Sequence, residues 1–296
     1  MSIVVTGATG ALGRLVVDAL LATVPAERVT AVARDKEKAA DLVARGAGLR
    51  LADYDDPASL AGAFRPGDRV LLVSGNQVGR RVAQHTAVIG AARAAGVAQL
   101  AYTGILGGPE ADFELADEHR ETERLILGSD LPYTFLRNGW YTENYTENLA
   151  PVLEHGAVVA NAGDGRIASA TRADYAAAAA AVLTGDGHLG RAYELSGDTA
   201  WSLAEYAAEL SRQTGRTIAY TEVPAEAHRE ILTGAGVPEE FARVLVDVDA
   251  AIARGRLART TGDLARLAGR PTTPLAESVA VALAAVRAPG PTHPRS

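Results

Sequence analysis

The stretch Ile3-Val4-Val5-Thr6-Gly7-Ala8-Thr9-Gly10-Ala11-Leu12-Gly13 is a short apolar run that breaks into three glycines spaced three apart. Ile3–Thr6 reads as a strand, and Leu12, Leu15, Val16, Ala19 and Leu20 then recur at the spacing of one helix face. A strand, a glycine turn and a helix in that order make a site for the pyrophosphate of a dinucleotide. Gly7 permits the turn, Gly10 lets backbone approach the pyrophosphate, and Gly13 lets the helix pack closely on the sheet. The N–H groups that open the helix, with its dipole, supply the anion site.

Working outward, β-branched or apolar runs alternate with helical stretches: Ile3–Thr6, Val29–Ala33, Leu49–Leu51, Val70–Val73, Gln99–Tyr102 and Tyr133–Arg137. Between them, Leu12–Ala22, Lys36–Arg45, Arg81–Ala95 and Leu115–Leu127 carry helical spacing. This alternation predicts an α/β fold, a Rossmann-type doubly wound parallel sheet with helices on both faces. After about Pro151 the pattern loosens into short strands at Val158–Ala160, Ala192–Leu195 and Thr217–Val223, with helices at Arg172–Leu183, Leu203–Gln213, Glu226–Thr233, Pro238–Arg254 and Leu275–Val286. We expect a dinucleotide-binding domain over residues 1–150 and a smaller C-terminal α+β lobe over 151–287. That boundary is approximate, with room for the chain to cross back. No linker composition separates the two, so the lobe is expected to pack on the first domain. Residues 288–296 hold three prolines and no apolar anchor, and read as a disordered tail.

Composition narrows the function classes. The 296 residues are 48% hydrophobic, enough for one large domain with a lobe. A net charge of −7 without a basic run disfavours a nucleic-acid partner, which needs clustered Lys and Arg. The absence of cysteine excludes thiolate catalysis and a cysteine-zinc site. The six histidines never fall at the i, i+4 spacing of a helical metal pair, so no metal is expected. No segment approaches the ~20 apolar residues of a membrane span, and no basic leader precedes the first strand. A cytoplasmic protein with a small-molecule substrate is the expectation.

Several strand ends carry chemistry. Arg34 closes the second strand, about 20 residues after the glycine turn, where an NAD-selective site would place an acid on the ribose hydroxyls. Its forked cation suits a 2′-phosphate, which favours NADPH. The cofactor expected is NADPH, without a flavin. Asp35 is placed to pair with Arg34 or to compete for the ribose, and Lys38 is a second cation nearby. Asp53, after the third strand, can accept from the adenine amino group, while Asp55 or Asp56 caps the next helix. Ser74-Gly75-Asn76 follows the fourth strand, and Thr103 follows Tyr102 in the fifth. Short-chain-type enzymes carry a catalytic Ser or Thr at that last position and a Tyr-x-x-x-Lys pair on the next helix. Here the helix reads Leu115-Ala-Asp-Glu-His119, so if His119 stands for the lysine, Leu115 stands for the tyrosine. Leucine cannot give a proton to a developing alkoxide, which disfavours ordinary alcohol–ketone chemistry. His119 is left to orient the nicotinamide ribose or to relay a proton.

The sixth strand runs into Arg137-Asn138-Gly139-Trp140-Tyr141-Thr142-Glu143-Asn144-Tyr145, dense in aromatics and amides for a chain only 5% aromatic. Such a segment can stack on a planar ligand while Asn138, Tyr141 and Asn144 hold its polar edge. Gly139 would let backbone approach the nicotinamide. Farther on, Asp174 reads as structural, and Arg166 or Arg172 as bordering the site.

The glycine turn, Ala52-Asp-Tyr54, Leu115 to His119, Leu136 to Tyr145, Ala162-Gly-Asp-Gly165, Ile167 to Tyr175 and Thr273 to Ser278 together resemble the type 2 NAD(P)H:quinone oxidoreductases. These are atypical short-chain dehydrogenase relatives grouped with NmrA-like regulators and triphenylmethane dye reductases. The resemblance implies a Rossmann domain with a small C-terminal lobe, NADPH in the cleft and two-electron reduction of a quinone. It implies that Gly7, Ala8, Thr9, Gly10, Ala11, Leu12, Gly13, Arg34, Ser74, Gly75, Asn76, Asn138, Gly139, Trp140, Tyr141, Thr142 and Glu143 touch the cofactor. Asn144 would then stand near the substrate entry. Gly75 and Asn76 depart from the serines expected there, and Gly104 after Thr103 departs from the family pattern as well. Quinone reduction suits the missing tyrosine, since a quinone accepts hydride readily and its oxyanion needs only hydrogen bonds, with the proton from Tyr141 or water. The rival readings are a non-catalytic NADP(H) sensor of the NmrA-like type and a reductase of triphenylmethane or azo dyes.

Overall fold

The computed structural model describes residues 2–287; the tail expected at 288–296 lies outside the described residues. The chain divides into two compact units, one of residues 1–139, 172–196 and 261–271, the other of 140–171, 197–260 and 272 onward.

In chain order, the first unit begins β1 (Ile3–Val5), α1 (Ala11–Leu21), β2 (Val29–Ala33), α2 (Ala40–Ala44), β3 (Gly48–Leu51) and α3 (Pro57–Leu60). It continues β4 (Arg69–Leu72), α4 (Arg81–Ala95), β5 (Gln99–Ile105), α5 (Glu114–Leu127) and β6 (Tyr133–Asn138). The chain then enters the second unit through α6 (Glu143–Thr146), α7 (Ala150–His155), β7 (Ala157–Ala160) and β8 (Arg166–Ile167). It returns for α8 (Arg172–Thr184) and β9 (Arg191–Leu195), and leaves again for β10 (Trp201–Ser202), α9 (Leu203–Thr214), β11 (Ala219–Glu222), α10 (Ala225–Gly234) and α11 (Glu239–Ala253). The short α12 (Asp263–Ala268) belongs to the first unit and α13 (Leu275–Arg287) to the second.

Seven strands pair in the order β3-β2-β1-β4-β5-β6-β9, every pair parallel, with Val4 set between Thr30 and Val70. The doubly wound parallel sheet expected from the alternation is present. Every residue of β1, β2 and β5 is buried, as parallel strands covered on both faces require. Val4, Val32, Val70, Leu72, Leu100, Tyr102 and Phe135 form a core with Leu60 of α3, Val88 and Ile89 of α4, and Ile126 of α5. Elsewhere α1 packs on α8, whose alanines 176 and 178–180 are all buried, so small side chains set the separation. Asp174, fully buried in α8, pairs with Arg270 at 2.6 Å, in line with its expected structural role. The run 192–195, expected in the looser C-terminal region, instead lies in the central sheet beside β6. Its partner is 57 positions away at Asn138↔Leu195, and no local pattern encodes that pairing.

In the second unit β11 pairs with β7 in parallel and β10 with β8 antiparallel. Ser202 opens α9 with a capping box, accepting the Glu205 N–H while Glu205 accepts the Ser202 N–H. Trp201, Tyr145 and Tyr206 cluster edge to face and tilted, and the Tyr206 hydroxyl donates to the Tyr145 carbonyl at 2.7 Å.

Two helical glycines are set for opposite responses to alanine. A Cβ on Gly13 would stand 2.2 Å from the Gly7 carbonyl oxygen, whereas one on exposed Gly90, in mid α4, would meet nothing within 4 Å. In urea unfolding of the unliganded protein, Gly13→Ala is expected to lose about 2 kcal/mol or more, and Gly90→Ala to gain about 0.5–1 kcal/mol.

Candidate functional site

The strand order reverses between β1 and β4, and in open parallel sheets ligands lie at the carboxyl ends of the strands flanking that reversal. Gly7 leaves β1 at φ +57°, a left-handed conformation that favours glycine. A Cβ there would stand 3.6 Å from Val73 Cβ and 3.7 Å from the Tyr54 hydroxyl, so turn and strand ends converge. The Ala8 N–H is tied to the Val32 carbonyl at 3.2 Å and the Gly10 N–H to Gly7 at 2.9 Å. No side chain caps α1, so its opening N–H groups receive no side-chain acceptor at the turn.

Arg34 is exposed at the end of β2, its guanidinium 4.0 Å from the Asp53 carboxylate at the end of β3. Asp35 is engaged otherwise, accepting the N–H groups of Glu37 and Lys38 at 2.8 and 3.3 Å. Asp56, through its carboxylate, is the residue that caps α3. Thr6 donates to the Leu71 carbonyl and accepts the Val73 N–H at 3.1 Å; the Tyr54 hydroxyl bonds Thr6 and the Val73 carbonyl. Burial holds the Tyr54 phenol above its ordinary pKa, in its neutral form, against the smaller opposing effects of the Thr6 bond and Arg34. Thr103 accepts the Ser74 N–H at 2.8 Å, so the residue at the catalytic Ser or Thr position of short-chain-type enzymes is tied to the loop after β4.

Gly75 is held on both sides: its N–H donates to His85 Nε2 at 3.1 Å and its carbonyl accepts Arg81 Nε at 2.8 Å. His119 is buried on α5, not on the surface, and its Nδ1 meets the Tyr102 hydroxyl at 2.7 Å. Burial, Arg81 and His85 push its pKa well down, so the ring is neutral at pH 7. Leu115 and His119 share α5 at i, i+4 spacing.

Beside them, Arg137 of β6 forms a bidentate pair with Glu123 of α5 at 2.8 and 2.7 Å and bonds Glu194 of β9 at 2.8 Å. Glu194 also accepts the Gly107 N–H at 2.7 Å. A Cβ on Gly104 would stand 3.2 Å from Glu123 Oε1 and 3.4 Å from the Tyr102 ring, which explains the glycine where a departure from the family pattern was noted. Asn138 is buried and accepts the Leu106 N–H at 2.9 Å through its carbonyl. Gly139 has a structural reason of its own: a Cβ would lie 3.1 Å from both the Leu195 carbonyl and the Tyr175 hydroxyl.

The rest of the aromatic segment belongs to the second unit. Tyr141 bridges to Ala170, the Thr142 N–H donates to the Ala170 carbonyl at 2.9 Å, and the Thr142 hydroxyl meets Ser169 Oγ at 2.8 Å. Trp201 Nε1 donates to the same Ser169 oxygen. Asn144 is exposed, with its N–H on the Tyr141 carbonyl, and Glu143 opens α6. Arg166 bonds the Ala200 carbonyl and Glu205. Among the described residues no group of three or more His, Asp or Glu could hold a metal, and no helix is long and apolar enough to cross a membrane.

A glycine turn at the order reversal of a doubly wound parallel sheet, opening an uncapped helix, defines a Rossmann-type dinucleotide fold. The chain belongs to the NmrA-like family, whose model matches residues 1–255, and the resemblance drawn from the motifs is borne out. It is 47% identical to Quinone oxidoreductase 2 of Escherichia coli K12 over 277 residues, 94% of this chain and 97% of the relative. The crystal structure of an Escherichia coli NADPH-dependent quinone oxidoreductase complexed with NADPH matches with a TM-score of 0.92 at 46% identity, covering 95% of this chain and 99% of that one. A Citrobacter triphenylmethane reductase complexed with NADP(H) matches with a TM-score of 0.91 at 42% identity, covering 95% and 100%.

Sequence reasoning missed Arg81, His85, Glu118 and the Arg137–Glu123–Glu194 triad. An arginine within an otherwise apolar buried strand is the one local signal for the triad, since a buried cation requires a partner. Arg137→Met would leave two carboxylates facing each other, and urea unfolding is expected to show a loss of about 3 kcal/mol or more.

The second unit holds its own buried titratable pair. Asp249 of α11 accepts the Asn161 N–H at 3.2 Å and lies 3.3 Å from His228 Nδ1, which meets Asn161 Oδ1 at 2.6 Å. Burial raises the Asp249 carboxyl from 3.8 to about 6 and lowers His228. A carboxyl so raised takes up a proton on folding, so its stabilisation is present at low pH and lost as pH climbs through about 6; His228, depressed, works in the opposite sense. Asp249→Asn removes only the first effect. Relative to wild type it is expected to gain stability between pH 4 and pH 7, by up to about 3 kcal/mol, in paired urea titrations.

Proposed function

We propose that this protein is an NADPH-dependent oxidoreductase that reduces a quinone or a similar planar acceptor. The observation that carries the reading is the match along nearly the whole chain to a quinone oxidoreductase, at 47% identity. The local geometry fits the cofactor: the Gly7 carbonyl takes the space a Cβ at Gly13 would need, so α1 follows β1 closely, and α1 opens uncapped beside the turn. Residues Gly7 to Gly13 would hold the pyrophosphate, Arg34 the 2′-phosphate and Asp53 the adenine. Ser74, Gly75, Asn76, Thr103 and Asn138 to Glu143 would line the remainder. When bound, NADPH would supply a hydride, and one proton from the protein or solvent completes reduction of quinone to hydroquinone.

The chain's own residues suit that division of labour. With leucine at 115, α5 offers no phenol, and neutral His119 on Tyr102 is fitted to orient a ribose, not to act as a cationic acid. We assign proton delivery to Tyr141 and the polar edge of the acceptor to Asn144. The Citrobacter relative, named for triphenylmethane reduction, makes a dye the second acceptor to test. Residues 1–150 carry the cofactor in this reading, 151–287 the substrate side, and the cytoplasm is its setting.

Steady-state oxidation of NADPH and NADH over a panel of quinones and dyes tests the proposal, and tight NADPH binding without turnover of any acceptor would support the non-catalytic sensor instead. Arg34→Ala is expected to raise KM for NADPH about tenfold or more while KM for NADH changes little. Tyr141→Phe is expected to lower kcat by about tenfold to a hundredfold; an unchanged kcat would assign the proton to water.

A further inference from the structure

The loop from Ser74 to Arg80 leaves β4 at the order reversal and is gripped from outside. At the start of α4 stand Arg80 and Arg81, with no acidic residue in the first turn. Two cations at a helix N-terminus oppose its dipole, and Arg81 is in addition buried, which costs hydration. Its contacts show what it is kept for. Nε donates to the Gly75 carbonyl at 2.8 Å, and Nη1 pairs at 2.8 Å with Glu118 of α5, whose other oxygen accepts the Gly79 N–H at 3.0 Å. One ion pair thus ties both ends of the loop to α5.

His85, one turn further along α4, holds the opposite side of the same residue. Because Nε2 accepts the Gly75 N–H, the ring proton must sit on Nδ1, where it donates to Thr122 Oγ1 at 2.9 Å; Thr122 in turn donates to the Glu118 carbonyl at 2.8 Å. Burial and the neighbouring Arg81 hold the ring's pKa near 3, so it stays an acceptor at any working pH. Gln84 bonds Gln77 and Asp55, adding a third tie between α4 and the loop.

We propose that Arg81 and His85 are positioning residues for the cofactor: they fix both peptide groups of Gly75, and so the course of the Ser74–Asn76 edge beside the glycine turn, without touching the ligand. The proposal rests on the cofactor reading above. It explains how this chain keeps that edge in place with Gly75 and Asn76 where serines were expected, since the grip acts on backbone. It also separates two effects, because the grip is made to Gly75 and Gly79 while Arg34 faces Asp53, so the grip serves any nicotinamide dinucleotide alike.

The test is fluorescence titration of NADPH and NADH into wild type, His85→Leu, His85→Gln and Glu118→Gln, each checked for folding by thermal melting of the unliganded protein. His85→Leu is expected to weaken both nucleotides by about the same factor, roughly tenfold. His85→Gln, which keeps an acceptor for the Gly75 N–H, is expected to recover most of the loss. Glu118→Gln removes no volume and frees the Arg81 grip, so it provides the result if His85→Leu does not fold; a severalfold loss for both nucleotides is expected. Wild-type affinity in His85→Leu or in Glu118→Gln, equal weakness in the Leu and Gln variants at 85, or a loss confined to NADPH would each overturn the proposal. Failure of wild type to bind either nucleotide would overturn the cofactor reading itself.

Discussion

The carbonyl of Gly7 occupies the place a side chain on residue 13 would need, 2.2 Å from the built Cβ. Around this approach the first unit is organised. It sets how closely α1 can follow β1, leaves the first peptide groups of α1 uncapped, and brings the turn against Val73 at the end of β4. Burial on both faces of the sheet then holds β1 in place, with Ile3, Val4 and Val5 fully enclosed. A contact this tight tolerates no added methyl, because packed interiors relax only partly around an intruding atom.

The carboxyl edge of the sheet is polar, yet its charges are paired. Arg137 is shared by Glu123 and Glu194, and Arg81 is taken by Glu118 and the Gly75 carbonyl. Such groups add little net stability, because desolvation offsets most of the attraction, but each arrangement penalises alternative geometries. Both histidines of this region are held neutral by burial and by Arg81, so they serve as fixed hydrogen-bond partners. Arg34 differs in being exposed, with the Asp53 carboxylate at 4.0 Å, and it is the cation we assign to the 2′-phosphate.

Chemistry in this family member follows from an omission as much as from a residue. Leucine at 115 leaves α5 without the phenol that would protonate an alkoxide, and the neighbouring polar groups are committed to one another: His119 to Tyr102, Thr103 to Ser74, Tyr54 to Thr6. An acceptor that takes hydride without prior protonation, as a quinone does, asks least of such a site. The proton is the remaining demand, and the segment after β6, rich in Trp and Tyr, is where we assign it.

Local sequence determined a good deal. The glycine spacing with its flanking strand and helix, the alternation of apolar runs, and Arg34 at a strand end were all legible, because each depends on neighbours within a few turns of chain. That an aspartate, Asp55 or Asp56, caps α3 followed from local chemistry too, and the structure gives the role to Asp56. Tertiary structure alone decided that the run ending at Leu195 joins the sheet beside β6, that His119 is buried instead of solvated, and that Gly104 and Gly139 answer to Glu123 and to Leu195. It also decided that Arg81 and His85 reach back to Gly75. The physical reason is common to all of these: parallel pairing, burial of a charge and a backbone-to-side-chain approach are contacts between segments far apart in sequence. The energy that selects them exists only once both segments are in place.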